Sequence, residues 1–340
     1  MQSNATSQPA STAALDMLSS NRRKAPITAG GVFVTSTALV DGARRALGPV
    51  GAFLPNIPLT SAPPVELQRQ AVRRLERAGY RAAWNNEGVG GKDGFVQLAL
   101  LLAATERLVF GSAVANIWAR PPETAHGAAA LLAEAYPGRF VLGLGVGYPF
   151  QADGVGRRYG SPLETIRDYL ERMAAPQPMT QVPYVAYARI VAANGPKMLA
   201  QAGQIADGAL PTLVPPEYTA RAREVLGPDK LLVIGLTVAV DDDRERAKAT
   251  AKQFMSATVG RPGSPYAANL ARLGYSADEL STATDRAVDA VLGYGGPAAI
   301  AAKVREHLDA GADHVRLATI VPDFSTGIDQ LERLAPALTG

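Results

Sequence analysis

Three histidines, His126, His307 and His314, and no cysteine bound the chemistry open to this chain of 340 residues. Without a thiol there is no disulfide, no thiolate metal site and no cysteine nucleophile. Histidines this sparse also argue against a histidine-bound metal, so no metal site is expected. A serine nucleophile on a sharp strand-to-helix turn needs a G-x-S-x-G segment, and none occurs. Two glycine-rich stretches fall short of nucleotide signatures. After Gly143, Gly145 and Gly147, the third glycine of G-x-G-x-x-G would fall on Tyr148; around Lys92, Asn86 replaces the first glycine of a phosphate loop and Asp93 replaces its Ser or Thr. Those glycines then read as residues that permit turns. What remains at the predicted strand ends is Asn56, Asn85, Asn86, Glu87, Ser112, Asn116, Trp118, Tyr148 and Asn194. Amides, small residues and aromatics suit the holding of a flat, polar-edged cofactor better than hydrolysis by a nucleophile. Glu87, the one carboxylate of the set, is the candidate to carry a proton or to orient the cofactor.

Positioning such residues requires strands that end together. Residues 108–148 read as strand, helix, strand: Val109, Phe110, Ala113 and Val114 form one apolar run and 139–146 another, as in strands buried on both faces. Pro121 and Pro122 open the helix between them, Leu131, Leu132 and Ala135 give it an apolar face, and Pro137-Gly138 ends it. Parallel strands joined in this way leave their useful residues just beyond the strand ends. Loops 112–120 and 145–150 are therefore the first candidate site loops. The same reading along the chain places strands at 50–54, 80–84, 108–114, 139–146, 189–193, 208–213, 231–240 and 315–320, each followed by a helix. Eight such units predict an α/β fold, a TIM (β/α)8 barrel, with an insertion between strands seven and eight around 258–292 and an N-terminal extension. An open doubly wound sheet is the alternative, but it usually carries a glycine fingerprint after its first strand. In a barrel all three histidines fall away from the mouth: His126 and His307 on helices, His314 at the start of strand eight.

Hydrophobic residues at 47% and charged residues at 19% describe a folded globular protein. The net charge of +3 arises within residues 1–48, and the rest is balanced, which leaves no electrostatic footprint for nucleic acid. Residues 1–47 are expected to form an extension, partly disordered, and 48–340 the barrel. Arg22-Arg23-Lys24 ahead of a mild apolar run resembles a twin-arginine export signal. Lys24, Ala25 and Pro26 stand where that signal has a bulky apolar residue, no A-x-A site follows, and the run is too short and polar for a membrane span. The expected location is the cytoplasm, with export as the alternative; the expected partner is a small-molecule substrate, with no nucleic acid and no membrane.

Five segments, GSAVANIWARPP, AYPGRFVLGLGVGYP, RRYGSPLETIRDYL, AANGPKMLAQAGQIADGALP and LDAGADHVRLATI, together resemble the bacterial luciferase-like superfamily, more narrowly its oxidoreductases that use the deazaflavin coenzyme F420. The likeness runs in order from Gly48 to Leu338. It implies a barrel with the cofactor ring at the C-terminal mouth and, behind the ring, a bulge in strand three with a non-prolyl cis peptide, by position Ser112–Ala113. It further implies cofactor contacts from Ser112, Ala113, Val114, Asn116, Gly145, Gly147 and Tyr148, from Ala192, Ala193, Asn194 and Gly195 along the ring and tail, and from Arg158 and Tyr159 near the cofactor phosphate. Glu87 matches an acidic position at the ring edge. Two departures stand out: Gly88 where some relatives place a catalytic histidine, and Val146-Gly147-Tyr148 where nearer ones have Ser-His. The resemblance thus implies an F420-dependent oxidoreductase acting on a small or medium organic substrate, mainly by positioning. An FMN-dependent two-component monooxygenase and a non-catalytic flavin- or deazaflavin-binding barrel are the alternatives. Homodimers are common among such proteins.

Overall fold

Along the strands of this protein, apolar residues alternate between two environments, and that alternation builds the fold. The computed structural model describes residues 37–55, 63–175 and 185–339. Asn56 and the export-signal reading of Arg22-Arg23-Lys24 lie outside them. Helix α1 (Thr37–Leu47) is followed by β1 (Val50–Phe53), α2 (Val65–Arg77), β2 (Ala82–Asn85), α3 (Gly94–Leu102), β3 (Val109–Ser112), the two-residue β4 (Ala115–Asn116), α4 (Pro122–Ala135) and β5 (Phe140–Gly145). Then come α5 (Pro149–Asp153), α6 (Pro162–Ala174), β6 (Ala188–Val191), α7 (Pro196–Ile205), β7 (Gly208–Ala209), α8 (Pro216–Leu226) and β8 (Leu231–Val240). The insertion comprises α9 (Arg244–Phe254), a π-helical turn (Met255–Val259), α10 (Pro265–Ala271), α11 (Ala277–Ser281), α12 (Asp285–Val291) and β9 (Gly293–Gly295). Helix α13 (Pro297–Asp309), β10 (His314–Thr319) and α14 (Phe324–Leu338) complete the chain.

All pairings are parallel, and the ring closes because β10 pairs with both β8 (His314 opposite Val233) and β1 (Val315 opposite Val50). The chain is a TIM barrel. β4 continues the third strand after a break, pairing with β5, and β9 lengthens the sheet beside the end of β8. Outward residues such as Val50, Ala83, Phe110, Leu142, Ile234 and Leu317 pack under the helices. Inward residues, among them Trp84, Val109, Val141, Ile190 and Val233, fill the lower barrel, and Val40 and Leu47 of α1 seal it from below. Both faces being covered, each strand reads as a continuous apolar run.

Several boundaries move for identifiable reasons. The helix expected after the strand at 231–240 starts at Arg244, because Asp243 accepts hydrogen bonds from the N–H groups of Glu245 and Arg246 and caps it. Strand six shrinks to Gly208–Ala209, with Thr212 bridging to Gly235. Leu131, expected on the packed face of α4, is 63% exposed; the helix packs through Ala125, Ala129, Ala130, Leu132 and Ala133 instead. Among the described residues no helix is long and apolar enough to cross a membrane.

Trp84 and His314 organise the barrel floor. The indole Nε1–H donates to His314 Nε2 at 2.9 Å, so the imidazole carries its proton on Nδ1, which faces the Gly48 carbonyl at 2.7 Å. The indole in turn requires Gly111, where a Cβ would lie 2.1 Å from the ring. Burial pushes His314 down to about 4 and His307, paired with the Thr219 hydroxyl at 2.9 Å, down to about 3. The unfolded chain binds these protons near pH 6.5 and the folded one does not, so stability falls as pH falls from 6.5 toward 4. Each histidine contributes a slope of about 1 kcal/mol per pH unit there. Urea melts between pH 6 and 5 should show this decline, and His314→Gln should make it shallower by about that amount.

Candidate functional site

The third strand breaks after Ser112 and resumes at Ala115, and the peptide bond between Ala113 and Val114 is cis. The position expected for that bond, Ser112–Ala113, is thus corrected by one residue. The Ala113 N–H still continues the pairing with β2, donating to the Asn85 carbonyl at 2.6 Å, and the Val114 carbonyl accepts from Glu87 N at 3.0 Å. Only the link between those two anchored residues is left to turn. The bulge leans on β5: a Cβ at position 143 would sit 2.0 Å from the Ser112 carbonyl oxygen, and one at 145 would sit 2.4 Å from Val114 Cγ2. Gly143 and Gly145, read from the sequence as turn formers, are strand residues that let this bulge approach. Gly147 is the turn former, with φ +56° and Gln151 and Asn116 crowding the place of its missing Cβ.

Behind the bulge lies a closed polar cluster. Glu87 Oε1 accepts from the N–H of Gly94 at 2.8 Å and Oε2 from that of Asn116 at 3.1 Å, and both oxygens bind the Arg120 guanidinium, Nη1 at 3.0 Å. Arg120 also pairs with Asp93 at 2.8 Å and lies over the Phe95 ring, 4.5 Å from its centre. Burial works against the Arg120 charge, but hydrogen bonds and proximity to Glu87 and Asp93 outweigh it and hold the guanidinium above its ordinary range. Ser112 is equally engaged: its hydroxyl donates to the Gly143 carbonyl at 2.8 Å and accepts from the Gly143 N–H at 2.9 Å. Ser112 and Glu87 therefore stand behind the bulge with their polar atoms already taken. For Glu87 this geometry suits orienting more than proton carriage.

In front of the bulge the barrel opens. Register places Asn116 beside Gly145 and Val191 beside Leu144, so the segments around Ser112, Gly145 and Ala192 share one end of the molecule. The inward residues at this level, Phe53, Ala113, Ala192, Thr212 and Ala318, are only partly buried and form a cup of mostly small side chains. One wall is pinned by Asn194, whose amide accepts from Thr212 N at 3.0 Å and donates to the Thr212 carbonyl at 2.7 Å. The Tyr218 hydroxyl donates to the carbonyls of Ala193 and Asn194 at 3.1 and 2.7 Å. Gly195 then opens α7, with free space where a side chain would be. The first turn of α7 has N–H groups with no partner inside the helix, at the mouth of the barrel.

The opposite wall is the loop after β5. Trp118 Nε1 donates to the Val146 carbonyl at 2.7 Å, the Tyr159 hydroxyl donates to that of Gly147 at 3.2 Å, and the two rings lie 5.9 Å apart. Asn116 Oδ1 accepts from Trp118 N at 2.9 Å. Tyr148 is exposed, stacks on Phe150 with ring centres 5.8 Å apart and lies near Tyr266 of α10, which brings the insertion to the mouth. Arg158 is exposed and has no bonding partner among the described residues. Ala113, Val114, Asn116, Gly145, Gly147, Tyr148, Tyr159 and residues 192–195 thus gather around one opening. Trp84, although it stands near the end of β2, belongs to the sealed floor. Sequence reasoning missed Arg120, Thr212, Tyr218 and Tyr266. A loop arginine reads by default as a solvated charge, and nothing local marks the others.

Comparison with known proteins agrees with this fold. The profile of the family described as luciferase-like monooxygenase matches residues 49–184 and 173–314. A Mycobacterium tuberculosis protein named as a coenzyme F420-dependent oxidoreductase is 26% identical over 262 residues, covering 63% of this chain and 75% of its own. A 5,10-methylenetetrahydromethanopterin reductase of Archaeoglobus fulgidus is 25% identical, with 62% of this chain and 70% of that one covered. Among solved structures, the coenzyme F420-dependent tetrahydromethanopterin reductase of Methanopyrus kandleri superposes with a TM-score of 0.68 at 19% identity, over 86% of this chain and 99% of that one.

The polar cluster makes a direct prediction. Glu87→Gln leaves Arg120 buried with a single carboxylate and should lower the unfolding free energy by about 3 kcal/mol. Asp93→Asn keeps the cap on α3 and removes a carboxylate that is 47% exposed, so urea melts should show a loss below about 1 kcal/mol.

Proposed function

This chain belongs to the luciferase-like monooxygenase family, and from that premise we propose that it is an oxidoreductase moving a hydride between the deazaflavin coenzyme F420 and a small or medium organic substrate. The observation that carries this reading is the cup at the mouth. Its bulge side presents Ala113 and Val114 and its facing side Ala192 and Gly195, all of them partly buried and small or medium in size. A flat ring fits against such walls, and the open space beside Gly195 leads to the first-turn N–H groups of α7, a setting that suits an anionic tail. Tyr159 and the exposed Arg158 lie on the opposite wall, where a phosphate can also be met. The names of the relatives in Mycobacterium tuberculosis and Archaeoglobus fulgidus favour a deazaflavin reading over a flavin one.

When bound, F420 supplies the carbon that gives or takes the hydride. The chain's own contribution is geometry. Gly143 and Gly145 let the bulge stand where it does, the Glu87–Arg120 pair holds the backbone of Asn116 behind it, and Asn194 and Tyr218 hold the segment opposite. Two walls fixed independently set the distance and angle between cofactor and substrate, which is where such enzymes gain their rate. Glu87 acts here as a positioning group; the aromatic edge of Tyr148, Phe150 and Tyr266 limits water at the rim.

Titration of the purified protein with oxidised F420 and with FMN tests this reading. F420 fluorescence should quench saturably, with affinity about tenfold or more above that for FMN. Gly195→Phe fills the free space and should weaken F420 binding by about tenfold without lowering the melting temperature. Binding of reduced FMN with oxygen consumption, and no F420 binding, would turn the assignment to a two-component monooxygenase.

A further inference from the structure

We propose that Arg316 is the anchor for a carboxylate on the substrate, which makes organic acids with an apolar body the substrate class; the inference builds on the reading of the mouth as a redox-cofactor site. Along β10 the inward positions are His314, Arg316 and Ala318, and their burial falls from complete, to 6% exposed, to partly open. Arg316 is thus the charged side chain at the boundary between the sealed floor and the open cup. Its guanidinium lies over the Phe53 ring, 4.7 Å from the centre. It runs beside Gly235, where a Cβ would be 2.7 Å from Nη2 and 2.4 Å from Thr212 Oγ1, so the bare position on β8 makes room for both side chains.

What the guanidinium lacks is an anion. It takes part in no hydrogen bond or ion pair among the described residues, and its Nε is buried without a partner. Segments 56–62 and 176–184 contain no Asp or Glu, and within residues 1–36 the one acid is Asp16. Burial pushes Arg316 down to about 10, which leaves it charged at neutral pH. A buried, uncompensated guanidinium is costly, and replacing it by an apolar side chain of similar volume is commonly neutral or stabilising. A purely structural role therefore gives no reason for its presence. A planar fork with unused donors at the base of an open cup matches a carboxylate, which it can bind through two parallel hydrogen bonds. Phe53 beneath it is apolar, as are Ala113, Ala192 and Ala318 at the level of the cup, so the rest of the ligand should be largely apolar too.

Benzoate and its uncharged isostere benzamide are suitable probes, titrated calorimetrically into the full chain with and without F420, in the wild type and in Arg316→Met. The expected result is that benzoate binds and benzamide binds about tenfold or more weakly, and that Arg316→Met loses benzoate affinity by about tenfold or more. In that variant F420 affinity should stay within about threefold and the melting temperature should not fall. Equal binding of the two probes, or unchanged benzoate binding by the variant, overturns the proposal. So does a tenfold loss of F420 affinity in Arg316→Met, which would assign the arginine to an oxyanion of the cofactor. Benzoate discrimination without F420 binding by the wild type would uphold the anion site and remove the cofactor reading alone. Should the methionine variant fail to fold, Arg316→Lys, which keeps the charge and loses the fork, should show the same loss of benzoate binding with F420 binding intact.

Discussion

The Ser112 carbonyl rests against the bare backbone of Gly143, and the arrangement of the mouth follows from that contact. No side chain larger than hydrogen fits between third and fourth barrel strands at this height. The strands close up, the Ser112 hydroxyl stitches them through both polar groups of Gly143, and the third strand leaves the ladder for two residues before rejoining it. That detour turns Ala113 and Val114 into the front wall of the cup and brings the N–H of Asn116 back onto Glu87. Placing any Cβ at position 143 would push the strands apart and displace the wall.

Two arginines in the same barrel, one partly and one fully buried, show opposite solutions for charge. Arg120 is surrounded by carboxylates and an aromatic face, with Glu87 and Asp93 coming from the loop after β2 and Phe95 from the first turn of α3. Such a pair is strongly unfavourable to break, because either survivor is left buried alone. It therefore serves as a brace. Arg316 has an aromatic face and, among the described residues, no anionic partner. Satisfied charge holds the walls, whereas unsatisfied charge waits inside them.

Much of this was legible from the residues alone, for physical reasons that also explain the rest. Strands covered on both faces announce themselves as apolar runs, so eight of them and the long insertion could be counted. Runs do not reveal where a strand leaves its ladder, because that depends on contacts with a neighbour thirty residues away; the cis bond was accordingly placed one residue early. Gly143 and Gly145 were read as turn formers because close approach across a sheet has no local signature. Leu131 was assigned inward on hydrophobicity, while the stripe of alanines that allows α4 to lie close to the sheet carries a weaker signal. Glu87 was visible, but its partner Arg120 was not, since an arginine in a loop is by default solvated. For Arg316 a signal existed and was passed over: one charged letter within HVRLAT, in step with the inward-facing His314.

The plug formed by α1 carries a consequence for traffic. With Val40 and Leu47 closing the base of the barrel, a ligand of the cup would have to enter and depart by the mouth. Whatever lies deepest has to arrive before a broad flat group settles across the rim and cannot exit until that group shifts. A barrel stoppered at one end behaves like a stack, last in and first out, and this imposes a sequence of loading and release on any pair of ligands it holds together.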